Sequence, residues 1–245
     1  MAEPKICIYT AVFGGYDPLR SAVKQSLPTD FVCFTDRIGI GRSKPWIVRR
    51  SIAKPSMSPR MQAKWFKMHA HKLFPNGAPL VSFWPFKHRR YDFTIWIDAS
   101  LEVTSPTFAA EVISQVGSSG LAVFPHPDRD CIFDEAVASS HWAKYKGQNL
   151  SEQAAAYRAE GYPAHNGLVA AGILVRDVNA PNLPGLDEAW WEENLRWTYQ
   201  DQLSLPVVWW RAGQRFSVIN AGLWTNSWFR YHPHPNEEGV LPEYR

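Results

Sequence analysis

Short runs of β-branched and aromatic residues alternate with longer segments of helical pattern along most of this chain, and that alternation restricts the fold more than any other feature. "KICIYTAVF" and "DFVCFTD" read as strands, the first ended by the turn cluster "GGYDP", and "WIVRR" as a third. Ser58-Pro59 offers an N-cap followed by proline at the first helical position, so "RMQAKWFKMHAHKLF" reads as a helix that stops near Pro75-Asn76-Gly77. Strand "FTIWID", helix "TFAAEVISQV" and strand "GLAVF" follow, then helices "DEAVASSHWAKYK" and "SEQAAAYRAE". Strand "AAGILVRD", helices "GLDEAWWEENLRWTYQ" and "DQLSLPVVWWRAG", the latter bent by Pro206, and strand "FSVIN" complete the series. Such alternation predicts an α/β fold with a mostly parallel central sheet and helices on both faces. No repeat or linker interrupts it, so a single domain over residues 1–245 is expected, with 222–245 an irregular tail.

Composition narrows the class of function. The 245 residues are 45% hydrophobic and 20% charged, enough apolar material for a sizeable core. A net charge of +3 suits anionic small molecules but is too weak an asymmetry to argue for nucleic acid. Cys7, Cys33 and Cys131 are few, odd in number and far apart, which disfavours a disulfide framework or a zinc site and fits a reducing compartment. No stretch approaches membrane-spanning length and the N-terminus lacks a cleavage-site pattern, so a cytoplasmic location is expected. The twelve tryptophans are read chiefly as core, since Trp buries a large area.

In "FTIWIDASLEV" a lone carboxylate, Asp98, closes an apolar strand, and Ser100 follows two positions later. Ligands of open α/β sheets bind beyond the carboxyl ends of the strands. A carboxylate carried there needs a cation partner or a metal, because an isolated buried charge is costly. Asp36 ends "DFVCFTD" in the same manner. Arg60, Lys64 and Lys67 are spaced to share one helix face, where they would clamp a diphosphate or form an ordinary solvated basic face. His69 and His71, two apart, do not face one another on a helix.

The blocks "YTAVFGGYDPL", "FVCFTD", "RMQAKWFKMHAHKLFP", "YDFTIWIDASLEV", "HPDRDCIFDEA", "AAGILVRD" and "QDQLSL" span almost the whole chain. In that order they resemble a nucleotide-sugar transferase of the GT-A type. More closely, they are similar to the glycosyltransferase-like family typified by plant mucilage-synthesis proteins. The resemblance implies a GT-A-like domain, a nucleotide-diphosphate sugar donor, a uridine one, a glycan or other hydroxyl acceptor, and a divalent cation, Mn²⁺ or Mg²⁺. Asp98 matches the first residue of the Asp-x-Asp pattern, and Ser100 replaces the second. By the same resemblance Thr10, Val12, Asp36, Arg60, Lys64 and Ser100 contact the donor, and Asp98 and His234 hold the metal, with His232 the alternative to His234. Arg129 and Glu135 fall on the acceptor side, although Glu135 reads equally as a helix-surface carboxylate. "YQDQLSL" resembles the segment that lies beside the anomeric carbon in retaining enzymes, which makes Asp201 and Gln202 the catalytic candidates. Asp is also a good helix N-cap, a competing reading for Asp201. Those relatives carry Asn-Ala-Gly where this chain has Ala170-Ala171-Gly172.

Two other functions fit the same residues. A non-catalytic sugar- or nucleotide-binding protein would account for Ser100 and Ala170, and a glycoside hydrolase would need two opposed carboxylates. Turnover separates the first of these from a transferase, because a binder releases no nucleoside diphosphate.

Overall fold

The computed structural model describes residues 2–37, 44–75 and 90–233. Among the described residues seven strands form one sheet, β1 (Ile6–Val12), β2 (Thr29–Thr35), β3 (Ile47–Arg50), β4 (Phe93–Ile97), β6 (Leu121–Pro125), β7 (Val169–Asp177) and β8 (Ser217–Val218), in the order β3-β2-β1-β4-β7-β6-β8. β5 (Leu101–Val103) pairs antiparallel with β9 (Phe229–Tyr231) as a separate ribbon. The β1–β2, β1–β4, β2–β3 and β6–β8 pairs are parallel, and β7 alone runs against its neighbours β4 and β6. The predicted α/β fold with a mostly parallel sheet is therefore present.

Alternate residues of each strand face opposite layers. Tyr9, Val32, Phe34, Trp96 and Leu174 pack beneath α1 (Pro59–Met68), α2 (Ala70–Leu73), α6 (Leu183–Arg196) and α7 (Asp201–Arg211), through Phe66, Leu73, Trp190 and Leu205. Ile8, Cys33, Ile95, Ile97 and Val175 face the other way, onto Phe108 and Val112 of α3 (Phe108–Ile113) and onto Leu223 and Phe229. A satellite core joins α4 (Ile132–Ser140) and α5 (Leu150–Ala159) to α7 through Ile132, Tyr157, Leu203 and Val207. Each fully buried side chain of this size contributes roughly 1.5–3 kcal/mol. Trp46, Trp96, Trp190, Trp191 and Trp209 are buried as expected, whereas Trp224 is half exposed. The three cysteines are separate buried thiols.

The elements depart from the sequence reading in four places. The long basic helix breaks at His69, whose backbone leaves the helical region at φ −111° and ψ 43°. The His69 backbone N–H still donates to the Trp65 carbonyl at 3.0 Å, as in a helix, and its ring Nδ1 donates to the same oxygen at 2.8 Å. The helix expected over "DEAVASSHWAKYK" ends at Ser140 and continues only as a 3-10 turn at Ala143–Tyr145. α6 stops at Arg196, which frees Tyr199 and Gln200 from the helix, while α7 continues through Pro206. In the expected irregular tail, Phe229–Tyr231 are ordered as β9 because β5 supplies a partner edge.

His69 carries a pH prediction. It is fully buried and stacked on Trp65 with ring centroids 4.7 Å apart. Burial pushes its pKa down to about 4, against the upward pull of the bond to the Trp65 carbonyl. An unfolded histidine titrates near ~6.5, so between these values the unfolded chain binds a proton that the native chain refuses. The contribution is complete above the unfolded value and is lost as pH falls towards the folded one, by up to roughly 3 kcal/mol. Urea unfolding across this window should show a steeper loss for the wild type than for His69→Phe; equal slopes would remove His69 as the cause.

Candidate functional site

Because β1 and β4 are parallel neighbours, both end at the same edge of the sheet, and antiparallel β7 begins there. A cleft of about 400 Å³ opens at that edge. Ala11 to Phe13 and Asp98 to Leu101 line it from the strand ends, Ala170 to Gly172 from the start of β7, and Arg60, Lys64 and Gln200 to Gln202 from the beginnings of α1 and α7.

Asp98 sits one residue beyond β4. Its N–H donates to the Gly172 carbonyl at 2.8 Å, and Trp96 Nε1 donates to its Oδ1 at 2.7 Å. A Cβ on Gly172 would stand 3.3 Å from Asp98 Oδ2, so glycine lets β7 pass close to this carboxylate. The side chain is 41% exposed and faces Lys67 Nζ at 3.9 Å. The charge that closes the apolar strand is thus carried to the cleft rather than into the core.

Behind it lies a buried ion cluster. Lys64 and Lys67, on one face of α1, both reach Asp201 Oδ2, at 2.8 and 2.6 Å. Burial alone would raise the Asp201 carboxyl, but the two ammonium groups override it and hold it far below the usual carboxylate range. Burial pushes Lys64 down, and Asp201 opposes that only in part because Lys67 adds to it. For Lys67 the same burial is outweighed by Asp201 and Asp98, which raise it. The two cations are balanced by Asp201 and by Asp98, which stands 3.9 Å from Lys67. Asp201 is the first residue of α7 and makes no N-cap bond; the cap position is Gln200. The competing N-cap reading of Asp201 is therefore replaced by the ion cluster.

Gln200 is held from behind. Its Nε2 donates to Glu135 Oε1 at 2.9 Å and to Ser139 Oγ at 2.8 Å, and Tyr145 OH donates to its Oε1 at 2.8 Å. Glu135 is buried rather than on the helix surface, and its Oε2 accepts from Arg129 Nε at 2.7 Å. Arg129 and Glu135 therefore support Gln200 and do not themselves line the cleft. Gln202 is oriented by its Nε2, which donates to the Val169 carbonyl at 3.1 Å. Arg60 packs over the Tyr199 ring at 4.7 Å and donates to the Lys144 carbonyl at 3.0 Å.

The other predicted residues divide. Val12 and Ser100 line the cleft with Asp98, Arg60, Lys64, Asp201 and Gln202. Thr10 is buried in β1, opposite Cys33 of β2, and does not line it. Asp36 accepts from the Gly14 N–H, at 3.3 and 3.1 Å to its two oxygens, and so pins the turn after β1 instead of lining the cleft. Gly14 has φ +63°, and a Cβ there would meet Pro59 at 2.8 Å, so that turn and the start of α1 pack together only with glycine. His234 lies outside the described residues. His232 donates from Nε2 to Glu102 Oε2 at 2.8 Å, which ties β9 to β5.

Tyr16, Asp17, Lys144, Tyr145, Tyr199, Gln200 and Trp224 also line the cleft and were not singled out from sequence. The quoted stretch "YQDQLSL" already held Tyr199 and Gln200, and "YTAVFGGYDPL" held Tyr16 and Asp17, but no motif pointed to Lys144, Tyr145 or Trp224. For a divalent cation the fit is to Asp98, with Ser100 beside it; of the other carboxylates lining the cleft, Asp17 and Asp201, the latter is taken by two ammonium groups. Mg²⁺-like ions are commonly held by one or two carboxylates together with substrate phosphates, so the donor set suits an ion that arrives with a diphosphate. Among the described residues the one cluster of three mutually close ligands, Cys131, Asp134 and His165, does not line this cleft.

Among solved structures, the chain is similar to the apo structure of the bifunctional glycosyltransferase WbbM, at 12% identity and a TM-score of 0.45, over 84% of this chain. The similar region spans 38% of that chain's length. No curated protein sequence matches at a significant level. Residues 37–226 match the family described as TOD1/MUCI70, glycosyltransferase-like domain, and the chain belongs to that family.

Proposed function

We propose that the chain transfers a sugar from a nucleotide-diphosphate donor, a uridine one, to a hydroxyl of a glycan. The observation that supports this most is the meeting of Asp98 with the Lys64–Asp201–Lys67 cluster and Arg60 in one cleft at the strand ends. Departure of a nucleoside diphosphate concentrates negative charge on the leaving oxygens, and cations fixed in advance stabilise it as it forms. Lys64 and Arg60, both on the cleft, are the groups for that task. Lys67 also lines the cleft, but its Nζ is held by Asp201 at 2.6 Å, so it acts through Asp201 as a positioning residue. Asp98 would hold the Mn²⁺ or Mg²⁺, which when bound neutralises diphosphate charge.

At the sugar carbon the developing charge is positive, and an oxygen held beside it stabilises the transition state. Gln202 suits this better than Asp201, whose Oδ2 is taken by two ammonium groups. In this reading Asp201 and Gln202 form the catalytic segment, Gln202 facing the sugar, and the anomeric configuration is retained. Ser100 and Val12 line the donor side, while Arg129 and Glu135 act on the acceptor side through Gln200.

Thermal-shift screening of nucleotides with and without Mn²⁺ tests the donor, since a ligand that binds only the native state raises the melting temperature by mass action. Uridine diphosphate should stabilise more than adenosine or guanosine diphosphate, and no shift with any nucleotide at millimolar concentration would end the proposal. Released nucleoside diphosphate then separates a transferase from a non-catalytic binder. NMR of the product, together with turnover of Gln202→Ala, tests the mechanism: an inverted product contradicts retention, and near wild-type turnover removes Gln202 from catalysis.

A further inference from the structure

The cleft has an aromatic part that the chemistry proposed above leaves unused. Among the described residues, the exposed aromatic side chains are Trp224 and Tyr231, at 50% and 43%. Both line the cleft, and their rings are neighbours, with centroids 5.3 Å apart and planes at 59°. The exposed aliphatic side chains, such as Ile52 and Val137, do not line it. Single exposed apolar side chains are ordinary, but two aromatic faces paired on the wall of a site mark a contact surface.

Both rings are held in place by their neighbours. Tyr231 ends β9 opposite Leu101, and Phe229, two residues earlier on the same face, is buried in the core. The His232 N–H donates to the Ser100 carbonyl at 2.8 Å, and the Leu101 N–H to the Asp98 carbonyl at 2.9 Å, so the ribbon fixes Tyr231 beside the turn that carries Asp98. Trp224 follows Leu223, which is buried, and Asn226 Nδ2 closes this loop by donating to the Gly222 and Leu223 carbonyls at 2.8 and 2.9 Å. Leu223 and Phe229 belong to the core layer of α3, whereas α1, which carries Arg60, Lys64 and Lys67, packs in the other layer. The cleft thus takes these cations from one layer and an uncharged aromatic pair from the other.

An uncharged ring offers nothing to a diphosphate. It suits a C–H surface, because an aromatic face carries negative charge and the C–H bonds of a sugar ring end in partial positive charge. Planes at 59° make no parallel slot for a flat base, whereas consecutive sugars turn at each linkage and lay their faces on both rings. The place fits as well. An acceptor oxygen must come within about 3–3.5 Å of the reacting carbon, so the acceptor sugar lies next to the donor sugar and close to Asp98. We infer that Trp224 and Tyr231 form the platform on which the acceptor glycan lies, and that they select a chain of at least two sugar units. The inference rests on the transferase reading of the cleft and supplies its acceptor contacts.

The test uses the full chain with uridine diphosphate and Mg²⁺, and saturation-transfer NMR with cellotetraose, xylotetraose and maltotetraose at about 5 mM, enough to populate a millimolar complex. At least one should bind. Trp224→Ala and Tyr231→Ala should each weaken it about tenfold or more, while Trp224→Phe, which keeps an aromatic face, retains most of it. The thermal shift with uridine diphosphate should match the wild type in all three variants, which also shows that they fold; Tyr231→Ala keeps the test decisive if Trp224→Ala does not. The inference is overturned if a wild type that takes the nucleotide binds none of the three tetrasaccharides, or if both alanine variants bind them as the wild type does. Loss of the nucleotide shift in a folded Trp224→Ala also overturns it, because the rings would then hold the base. Tetrasaccharide binding that depends on Trp224 in a wild type with no nucleotide shift would end the transferase reading and leave the glycan platform standing.

Discussion

Replacing Asp201 with alanine is expected to lower stability by about 3–5 kcal/mol, because it strands two buried ammonium groups against each other. Lys67 is 5% exposed, and the Lys64 side chain is 15% exposed, so neither is rescued by solvent without movement. If Asp201 served only as a carboxylate in the first turn of a helix, its loss would cost about 0.3–1 kcal/mol. The sign with pH follows from its depressed carboxyl: the contribution is complete above the unfolded value near ~3.9 and disappears only as pH falls below it. The full penalty should therefore appear at pH 7. Adding Lys67→Met to Asp201→Ala removes one stranded charge and should recover part of the loss, which a double-mutant cycle reads as coupling. Urea denaturation of the four proteins decides it, and a single-mutant loss under about 1 kcal/mol would reject the cluster as an energetic unit.

Asp98→Asn should have the opposite profile, an intact fold and turnover reduced by about 100-fold or more. The backbone bond to Gly172 does not involve the side chain, and the new amide oxygen still accepts from Trp96 Nε1. Lys67 loses only a partner at 3.9 Å and keeps Asp201 at 2.6 Å. What disappears is the one negative charge at the end of β4, and under the proposed function the response of donor binding to Mn²⁺ should go with it. Melting temperature and nucleoside diphosphate release, each measured with and without the ion, report the two halves separately. Turnover within a few-fold of wild type would shift the charge-handling role to Arg60 and Lys64 alone.

Much of this was legible because it is local. A carboxylate after "FTIWI" announces a strand end, and Ser58-Pro59 announces a helix start, whatever lies elsewhere in the chain. Spacing also placed Lys64 and Lys67 on one face, but not what they face, since Asp201 is 134 positions from Lys67. The direction of β7 left no local mark, because buried strands read alike in either orientation. Its reversal nonetheless brings Ala170 to Gly172 to the cleft and sends Arg176 to the far end. The break at His69 was hidden for a related reason: the helical pattern continues through it, and only the backbone of His69 in the folded chain departs from it. Arg176, a charge inside "AAGILVRD", was passed over by strand assignment, and the fold buries it against Asp187 at 2.9 Å.

The bond between Lys67 and Asp201 has a kinetic meaning as well. It joins a helix that follows the third strand to one that follows the seventh, so its formation must wait for closure of a very long loop. Contacts of such high contact order form late in folding. We expect the cleft floor to be absent from the transition state, so that Asp201→Ala speeds unfolding more than it slows folding, which a denaturant chevron would read. On that expectation the cluster is also a latch: it sets how long a folded molecule persists more than how quickly one is made.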